Sequence, residues 1–532
     1  VSALPARIAG AAAKTPPWLV ALVAGLLAAL AHPPFGVLPG LLAYGAMMRL
    51  ADAAPSRASA FRRGWFAGLG YFGLGCWWVA EAFLVDAETF GWMAPFAVTL
   101  LAGGLALFWG AGLAFYRALA LKGAARVLAF AAILSAAEWT RGHILTGFPW
   151  NLPGETWAAG GAVSQFAAVV GAYGLTFVTL AIAAAPALLW RAERRRAAMG
   201  ATLGAAAVLL GLVGYGAWSL EAAASEKPTG VLVRVVQPNI PQAEKYDRSA
   251  FDALVARYVR LTAQPSALGV PALVVWPEGA VPASADSYLA PGSPVRAAIT
   301  AALRPGQILL VGAYRFDGPG EDARVYNTLI ALRRDAGDLT VIGVYDKHRL
   351  VPFGEYMPLE KWLAPLGVKK LVPLESFSSG PKPAPLTLGS PALGSLILQP
   401  LICYESLFPG FTREGERRTG VRSDLIVNIS NDAWFGMTSG PWQHLNLASY
   451  RAIEEGVPMV RATPTGVSAI IDSRGRVETK LSLGAQGVAD HFVAQAKAST
   501  PYARTGDLTF LVMIVISGLI NFKELILRRK IS

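Results

Sequence analysis

The chain has 532 residues, 54% of them hydrophobic and only 15% charged, with a formal net charge of +12. A soluble domain carries about 25% charged residues, so the composition excludes an ordinary soluble protein. Two cysteines in very different surroundings argue against a disulfide framework. Five scattered histidines give no recognisable metal site.

Residues 1–220 are a series of apolar stretches with short polar breaks. Their patterning predicts helices at about 17–31, 35–51, 62–84, 92–120, 125–141, 162–191 and 196–218. A bilayer core needs roughly 20 apolar residues in a helix, so this part reads as a membrane domain of about seven spans. The first two candidates are short and joined by His32-Pro33-Pro34-Phe35-Gly36. They read as a hairpin of two spans or as a re-entrant pair. A cleaved signal peptide over residues 1–30 is the alternative, but no small-residue cleavage site is evident.

Basic residues test the count. Arg7 and Lys14 precede the first span, and Arg49, Arg57, Arg62 and Arg63 surround a later break. Arg117, Lys122 and Arg126 form a third group, and Arg191, Arg194, Arg195 and Arg196 a fourth. The loops between these groups lack base, and one carries Asp86 and Glu88. This alternation is the positive-inside pattern. It predicts a cytoplasmic N terminus and a seventh helix that exits on the far side. It also assigns the basic balance to topology rather than to nucleic acid. Glu81 and Glu138 fall near predicted helix ends, where a carboxylate reaches water. The segment GFPWNLPGETW (147–157) reads as an outer interfacial loop.

Near Ser225-Glu226-Lys227-Pro228 the composition changes. Short apolar runs alternate with helical patterns, which predicts an α/β layered domain over 228–500. Expected strands are 231–237, 272–276, 308–314, 326–332, 341–347, 395–403, 424–430 and 467–472; expected helices include 247–263 and 441–456. A last apolar run is followed by Lys523, Arg528, Arg529 and Lys530, and reads as a C-terminal transmembrane helix over 508–526. The charge pattern puts the α/β domain outside the cytoplasm, tethered to the bilayer at both ends.

Three strand ends carry ionisable groups. Glu278 follows VVW-Pro, Lys347 ends VIGVYDK with Glu355 on the next loop, and Cys403 ends LILQPLIC before Tyr404 and Glu405. Singly, each has a plain explanation: a helix cap, a surface ion pair, a small buried hydrophobe. Together they supply a thiol nucleophile, a carboxylate to take its proton and an ammonium for an oxyanion.

In this order, Trp-Pro-Glu (276–278), Lys-His-Arg-Leu-Val-Pro-Phe-Gly-Glu (347–355) and Cys-Tyr-Glu (403–405) resemble the Glu-Lys-Cys nitrilase (carbon-nitrogen hydrolase) superfamily. The many-span frame narrows the resemblance to the lipoprotein N-acyltransferases of bacteria, as do QPNIPQ (237–242), SNDAWFG (430–436) and RATPTGVSAIID (461–472). The resemblance implies an α-β-β-α sandwich for the second domain. It implies Cys403 as nucleophile, Glu278 as general base and Lys347 as oxyanion stabiliser, with Glu355, Tyr404 and Glu405 in support. Trp434 and Phe435 are expected on a loop that gates acyl-chain entry, and His348 is expected to be structural. Tyr246 stands where such proteins often carry Trp, which leaves a substrate contact there open.

The implied reaction is ping-pong, with no nucleotide, metal or other cofactor. An acyl chain passes from a membrane phospholipid to Cys403 as a thioester. It then passes to the α-amine of the diacylglyceryl-modified N-terminal cysteine of an apolipoprotein, the last step of bacterial lipoprotein maturation. The implied location is the bacterial inner membrane, with the α/β domain on the periplasmic side. A membrane-anchored amidase of the same superfamily is the alternative, though one span would suffice to anchor it. A channel or transporter with a degenerate outer domain is a second.

Overall fold

The computed structural model describes residues 15–190, 195–222, 228–245, 248–320, 323–358 and 377–529. Arg7, Lys14, Arg191, Arg194, Tyr246 and Lys530 lie outside the described residues. The chain divides into two compact units. One comprises Val1–Ala158, Ala162–Trp218 and Asp507–Ser532; the other comprises Ala159–Gly161 and Ser219–Gly506.

The first unit is helical. Its main helices are α1 (Pro17–Ala29), α2 (Ala43–Asp52), α3 (Arg57–Gly75), α4 (Ala94–Ala118), α5 (Arg126–His143), α6 (Ala167–Ala184) and α7 (Arg195–Glu221). A further helix runs over Leu508–Arg529. Among the described residues, three helical stretches suffice by length and composition to cross a membrane: Ala87–Ala118, Val163–Leu189 and Arg195–Glu221. Shorter apolar helices cover Pro17–Ala29 and Leu508–Lys523. Helix α3 begins five residues before its expected start at 62, because the Ser56 hydroxyl accepts a hydrogen bond from the Ser59 amide and caps it. It packs closely on α4 through small residues. A Cβ on Gly64 would lie 2.6 Å from the Trp109 carbonyl oxygen, and one on Gly68 would lie 2.7 Å from Ala106 Cα. Such small-residue contacts let helix backbones approach where no hydrophobic drive exists between them.

One expectation for this unit is corrected. Glu138 does not reach water: it is fully buried, ion-paired with Arg141, and accepts a hydrogen bond from Trp109 Nε1 at 2.6 Å. The 147–157 segment, expected as an outer interfacial loop, is largely buried. Trp150, Leu152 and Glu155 are buried, Tyr71 Oη donates to the Asn151 carbonyl at 2.6 Å, and the Gly154 amide donates to Thr176 Oγ1 at 3.0 Å. Its polar groups find partners inside the bundle, so it folds inward.

Among its described residues the second unit has twelve strands: β1 (Pro228–Gln237), β2 (Leu273–Val275), β3 (Ile308–Asp317), β4 (Arg324–Arg334), β5 (Leu339–Asp346), β6 (Leu386–Ser390), β7 (Gly394–Ile402), β8 (Leu425–Ile429), β9 (Met459–Ala462), β10 (Ser468–Ile471), β11 (Val477–Leu481) and β12 (Gly487–Ala494). They form two six-stranded sheets, ordered β12-β1-β2-β3-β4-β5 and β11-β10-β9-β8-β7-β6. Each has a parallel centre, β1-β2-β3 in one and β7-β8-β9 in the other, flanked by antiparallel strands.

Alternation along β1 shows the layering. Val233 and Val235 join a core shared with Leu398, Ile402, Val427 and Val460 of the other sheet. Val236 faces the opposite way, toward helices α8 (Phe251–Thr262) and α9 (Pro294–Ala302), whose Leu254, Tyr258 and Ile299 complete a second core. Arg234 also points outward and stays buried. It pairs with Asp490 and donates to the carbonyls of Leu261 and Thr262, which satisfies the open end of α8. On the other sheet the helices are α10 (Phe411–Thr419) and α11 (Gly440–Glu455). Strands β6, β9, β11 and β12 escape the sequence reading. They are short or polar, as in MVRA and VETKL, and pairing rather than apolar character makes them strands.

Candidate active site

Glu278 follows β2 and Cys403 follows β7, each beyond the carboxyl end of a parallel strand, where open α/β sheets place reactive groups. Lys347 follows β5. Its amide donates to the Asn327 carbonyl of β4 at 2.8 Å, so the sheet ladder fixes the root of the side chain. Gly312 on β3 lets the Glu278 backbone approach, since a Cβ there would lie 2.4 Å from the Pro277 carbonyl oxygen and 2.5 Å from Glu278 Cα.

Lys347 is 1% exposed. Its Nζ lies 3.3 Å from Glu278 Oε1 and 2.8 Å from Glu355 Oε1. Asn327 Nδ2 donates to the same two oxygens, at 2.6 and 3.0 Å. Glu355 also accepts the Val351 amide at 2.8 Å, which closes the 351–355 loop over it. Burial alone would lower the Lys347 pKa, but the charges of Glu278 and Glu355 outweigh it and hold the ammonium above its usual range. A cation so held is a fixed positive charge.

Cys403 is half-buried and takes a left-handed backbone, φ 49°. A side chain rarely adopts this conformation, and such outliers gather at functional sites. The thiol lies in the fields of Glu278, Lys347 and Asp432 and hydrogen-bonds Ser430. Burial, reinforced by the two carboxylates, pushes its pKa up to about 12 against the pull of Lys347. The resting group is therefore a thiol, and it needs a base to become a nucleophile.

Glu405 braces the two loops. It is fully buried. Its Oε2 accepts the Ile402 amide at 2.8 Å, and its Oε1 accepts Tyr345 Oη at 2.9 Å and the His348 and Arg349 amides at 2.7 and 3.2 Å. Burial pushes its pKa up to about 7, with the three backbone donors pulling the other way. Tyr404 is buried and packs edge-on against Phe408, ring centroids 5.0 Å apart. Trp434 lies 38% exposed on the Asp432–Phe435 turn. His348 Nδ1 bonds the Gly380 carbonyl at 2.9 Å.

The structure thus gathers Glu278, Lys347, Cys403 and Glu355 and attaches Glu405 beside them. Several neighbours were not singled out from the sequence. Asn327 had a signal, a polar residue inside the apolar run YNTLIAL. Asp432 and Arg461 lie in the quoted motifs SNDAWFG and RATPTGVSAIID. They form a buried ion pair at 2.8 Å, which holds the Asp432 carboxyl well below its usual range despite burial. Ser406 and His444 gave no signal. QPNIPQ proves to be bracing: Gln237 donates to the Ser482 and Ala485 carbonyls, and Gln242 accepts from Asn431.

A two-sheet α/β unit with a carboxylate, an ammonium and a thiol at its strand ends defines a carbon-nitrogen hydrolase type of protein. Residues 232–500 match the carbon-nitrogen hydrolase family model, and residues 24–185 match that of the apolipoprotein N-acyltransferase N-terminal domain. The chain is 56% identical to an apolipoprotein N-acyltransferase of Caulobacter vibrioides, over 95% of this chain and 94% of that protein. It is 38% identical to proteins of the same name from Rhodopseudomonas palustris (94% of this chain, 93% of that protein) and Bradyrhizobium diazoefficiens (96% and 95%). The chain belongs to the apolipoprotein N-acyltransferase family.

Proposed function

We propose that the protein transfers an acyl chain from a membrane phospholipid to the α-amine of the diacylglyceryl-modified N-terminal cysteine of apolipoproteins, through a thioester on Cys403. The observation that carries this reading is the buried Glu278–Lys347–Glu355 cluster facing a half-buried thiol on a left-handed backbone.

In the first half-reaction Glu278 takes the thiol proton as Sγ attacks the phospholipid ester carbonyl. The oxyanion faces the Lys347 ammonium, a charge already in place and without reorganisation cost. The C–O bond breaks, and the lysophospholipid oxygen leaves with the proton from Glu278. In the second half the α-amine attacks the thioester. Glu278 takes an amine proton and returns it to the departing sulfur. Sulfur and amine change places around one acyl group, so no redox partner is needed. A thiol raised to about 12 suits this sequence: it stays protonated until substrate and base act together.

Helices able to cross a bilayer suit two lipid-headed substrates, because a membrane tether holds enzyme and substrates in one plane. The family resemblance and the apolar helices support the bacterial inner membrane as the location, and the basic-residue pattern supports a periplasmic α/β unit.

Intact mass spectrometry of the detergent-solubilised protein after incubation with phospholipid tests the reading. One acyl chain should add to Cys403, be released by hydroxylamine, and be absent from Cys403→Ser. Glu278→Gln should slow adduct formation by about 10²–10⁴-fold. Absence of the adduct from the unaltered protein overturns the acyl-enzyme. Release of free fatty acid faster than amide formation, or hydrolysis of small amides without lipid, favours the amidase.

A further inference from the structure

A chain of buried polar groups leads away from the back of the nucleophile, and the acyl-transfer steps do not use it. Arg461 Nη2 donates to Asp432 Oδ1 and Oδ2 at 3.0 and 2.8 Å. Asp432 Oδ1 also faces His444 Nδ1 at 3.0 Å and accepts Ser430 Oγ at 2.7 Å. On the far side of the ring, His444 Nε2 lies 3.0 Å from Ser406 Oγ. Ser406 Oγ in turn lies 2.8 Å from the Cys403 carbonyl oxygen. Every member except Cys403 is at most 1% exposed. Arg461 also donates to Asn428 Oδ1, and Asn428 Nδ2 donates to the Leu401 carbonyl at 3.1 Å. The network therefore returns to the strand that carries the nucleophile.

The residue at its end is the one with the strained backbone. A left-handed φ is unfavourable for a residue that carries a side chain, so Cys403 holds that turn only if its neighbours enforce it. Its amide side is held by Glu405, which accepts the Ile402 amide. Its carbonyl side has Ser406, whose hydroxyl is located by His444, and His444 itself also hydrogen-bonds the Cys403 backbone. We propose that His444 is a positioning residue for the nucleophile: anchored by Asp432 and Arg461, it fixes the Ser406 hydroxyl against the Cys403 carbonyl and so sets the turn from which the thiol projects. This rests on the reading of Cys403 as nucleophile.

The two ring nitrogens have separate tasks, and amides separate them. Asn at 444 places its amide where Nδ1 lies and keeps the Asp432 contact alone. Gln reaches the Nε2 position and keeps the Ser406 contact. The test is the single-turnover rate of Cys403 acylation from phospholipid, read by intact mass, for full-length His444→Asn, His444→Gln, Ser406→Ala and the Asn/Ala double variant. A nucleophile displaced by about 1 Å costs about 100-fold, so His444→Asn and Ser406→Ala should each slow acylation by about that factor. The half-saturating phospholipid concentration should stay within about twofold, because substrate binding is untouched. His444→Gln should keep the rate within about tenfold of the unaltered protein, and the double variant should be no slower than about threefold below either single one, as for two members of one coupled chain.

Equal rates for Asn and the unaltered protein overturn the proposal, as do equal losses for Asn and Gln or fully multiplying effects of Asn and Ala. If His444→Asn does not fold, Ser406→Ala alone decides, with acylation at the unaltered rate overturning the proposal. If the unaltered protein forms no adduct, the nucleophile assignment falls and the positioning falls with it. An adduct that forms regardless of residue 444 removes the positioning alone.

Discussion

Both units bury an ion pair, and the two pairs do different things. In the helical unit Glu138 and Arg141 are both fully buried. Trp109 donates to the carboxylate, Arg141 donates to the Phe148 carbonyl, and the guanidinium lies 4.9 Å from the Phe72 ring centroid. Every charged atom has a partner, and the thiol and imidazole within reach of the Arg141 charge, Cys76 and His32, are each 1% exposed. In the α/β unit Lys347 is as deeply buried, but it serves two carboxylates, and a half-buried thiol stands in its field. The first cluster is closed and the second is open on one side. Burial and pairing mark both, so neither property identifies a site. What separates them is an excess of one sign of charge beside a half-buried thiol held on a left-handed turn.

The largest expected effect comes from removing the shared cation. Lys347→Met leaves Glu278 and Glu355 buried and sharing the Asn327 amide, with the Val351 amide as a further donor to Glu355. Breaking a buried pair from one side costs about 3–5 kcal/mol, and loss of the oxyanion's charge should slow acyl-adduct formation by a further factor of about 10²–10³. Denaturant unfolding of the full chain in detergent reads the first, and intact mass reads the second. Unchanged stability would mean that the ammonium does not hold the two carboxylates in place. Glu138→Gln should produce only half of this result. Arg141 loses its partner and stability falls by about 3–5 kcal/mol, while the fraction that stays folded acylates Cys403 at the unaltered rate. The double change Glu138→Met with Arg141→Leu should recover most of that stability, because an apolar pair of similar volume replaces a buried ion pair at little cost. Loss of acylation in folded Glu138→Gln would erase the distinction between the clusters.

The sequence made one cluster legible and hid the other for physical reasons. Glu278, Lys347 and Cys403 end apolar runs, and a polar group after a buried strand is visible as a break in pattern. Glu355 and Glu405 lie within eight residues of these ends and were visible by association. Glu138 sits inside a helix, where one carboxylate three residues from an arginine looks like a helix end approaching water. Only the packing of Trp109 and Phe148 shows that it faces inward. The His444–Ser406 contact joins residues 38 apart in sequence and on different elements, which no local pattern records. Likewise β9 and β12 exist because partners pair with them: Arg461 in β9 and Asp490 in β12 carry charge into strands, against the apolar signal that revealed the others.

The open cluster makes a further prediction, smaller and of opposite sign for two readouts of one residue. The Cys403 thiol is pushed up to about 12 by burial, then by Glu278 and Asp432, while Lys347 and the Ser430 hydrogen bond pull it down. Thiolate, not thiol, reacts with iodoacetamide. Below the raised pKa the thiolate fraction grows about tenfold per pH unit, so Cys403 alkylation should rise at that rate from pH 7 to 10 without a plateau. Removing the Glu278 charge takes away one of the groups holding the pKa high. Glu278→Gln should therefore alkylate faster than the unaltered protein at each pH, yet acylate more slowly, because the proposed acyl transfer uses the carboxylate as base and alkylation does not. A structural lesion at 278 would move both rates the same way. A plateau below pH 8 in the unaltered protein would reveal a thiolate already formed at rest; Lys347 would then outweigh burial, and Glu278 would lose its role in activating the sulfur.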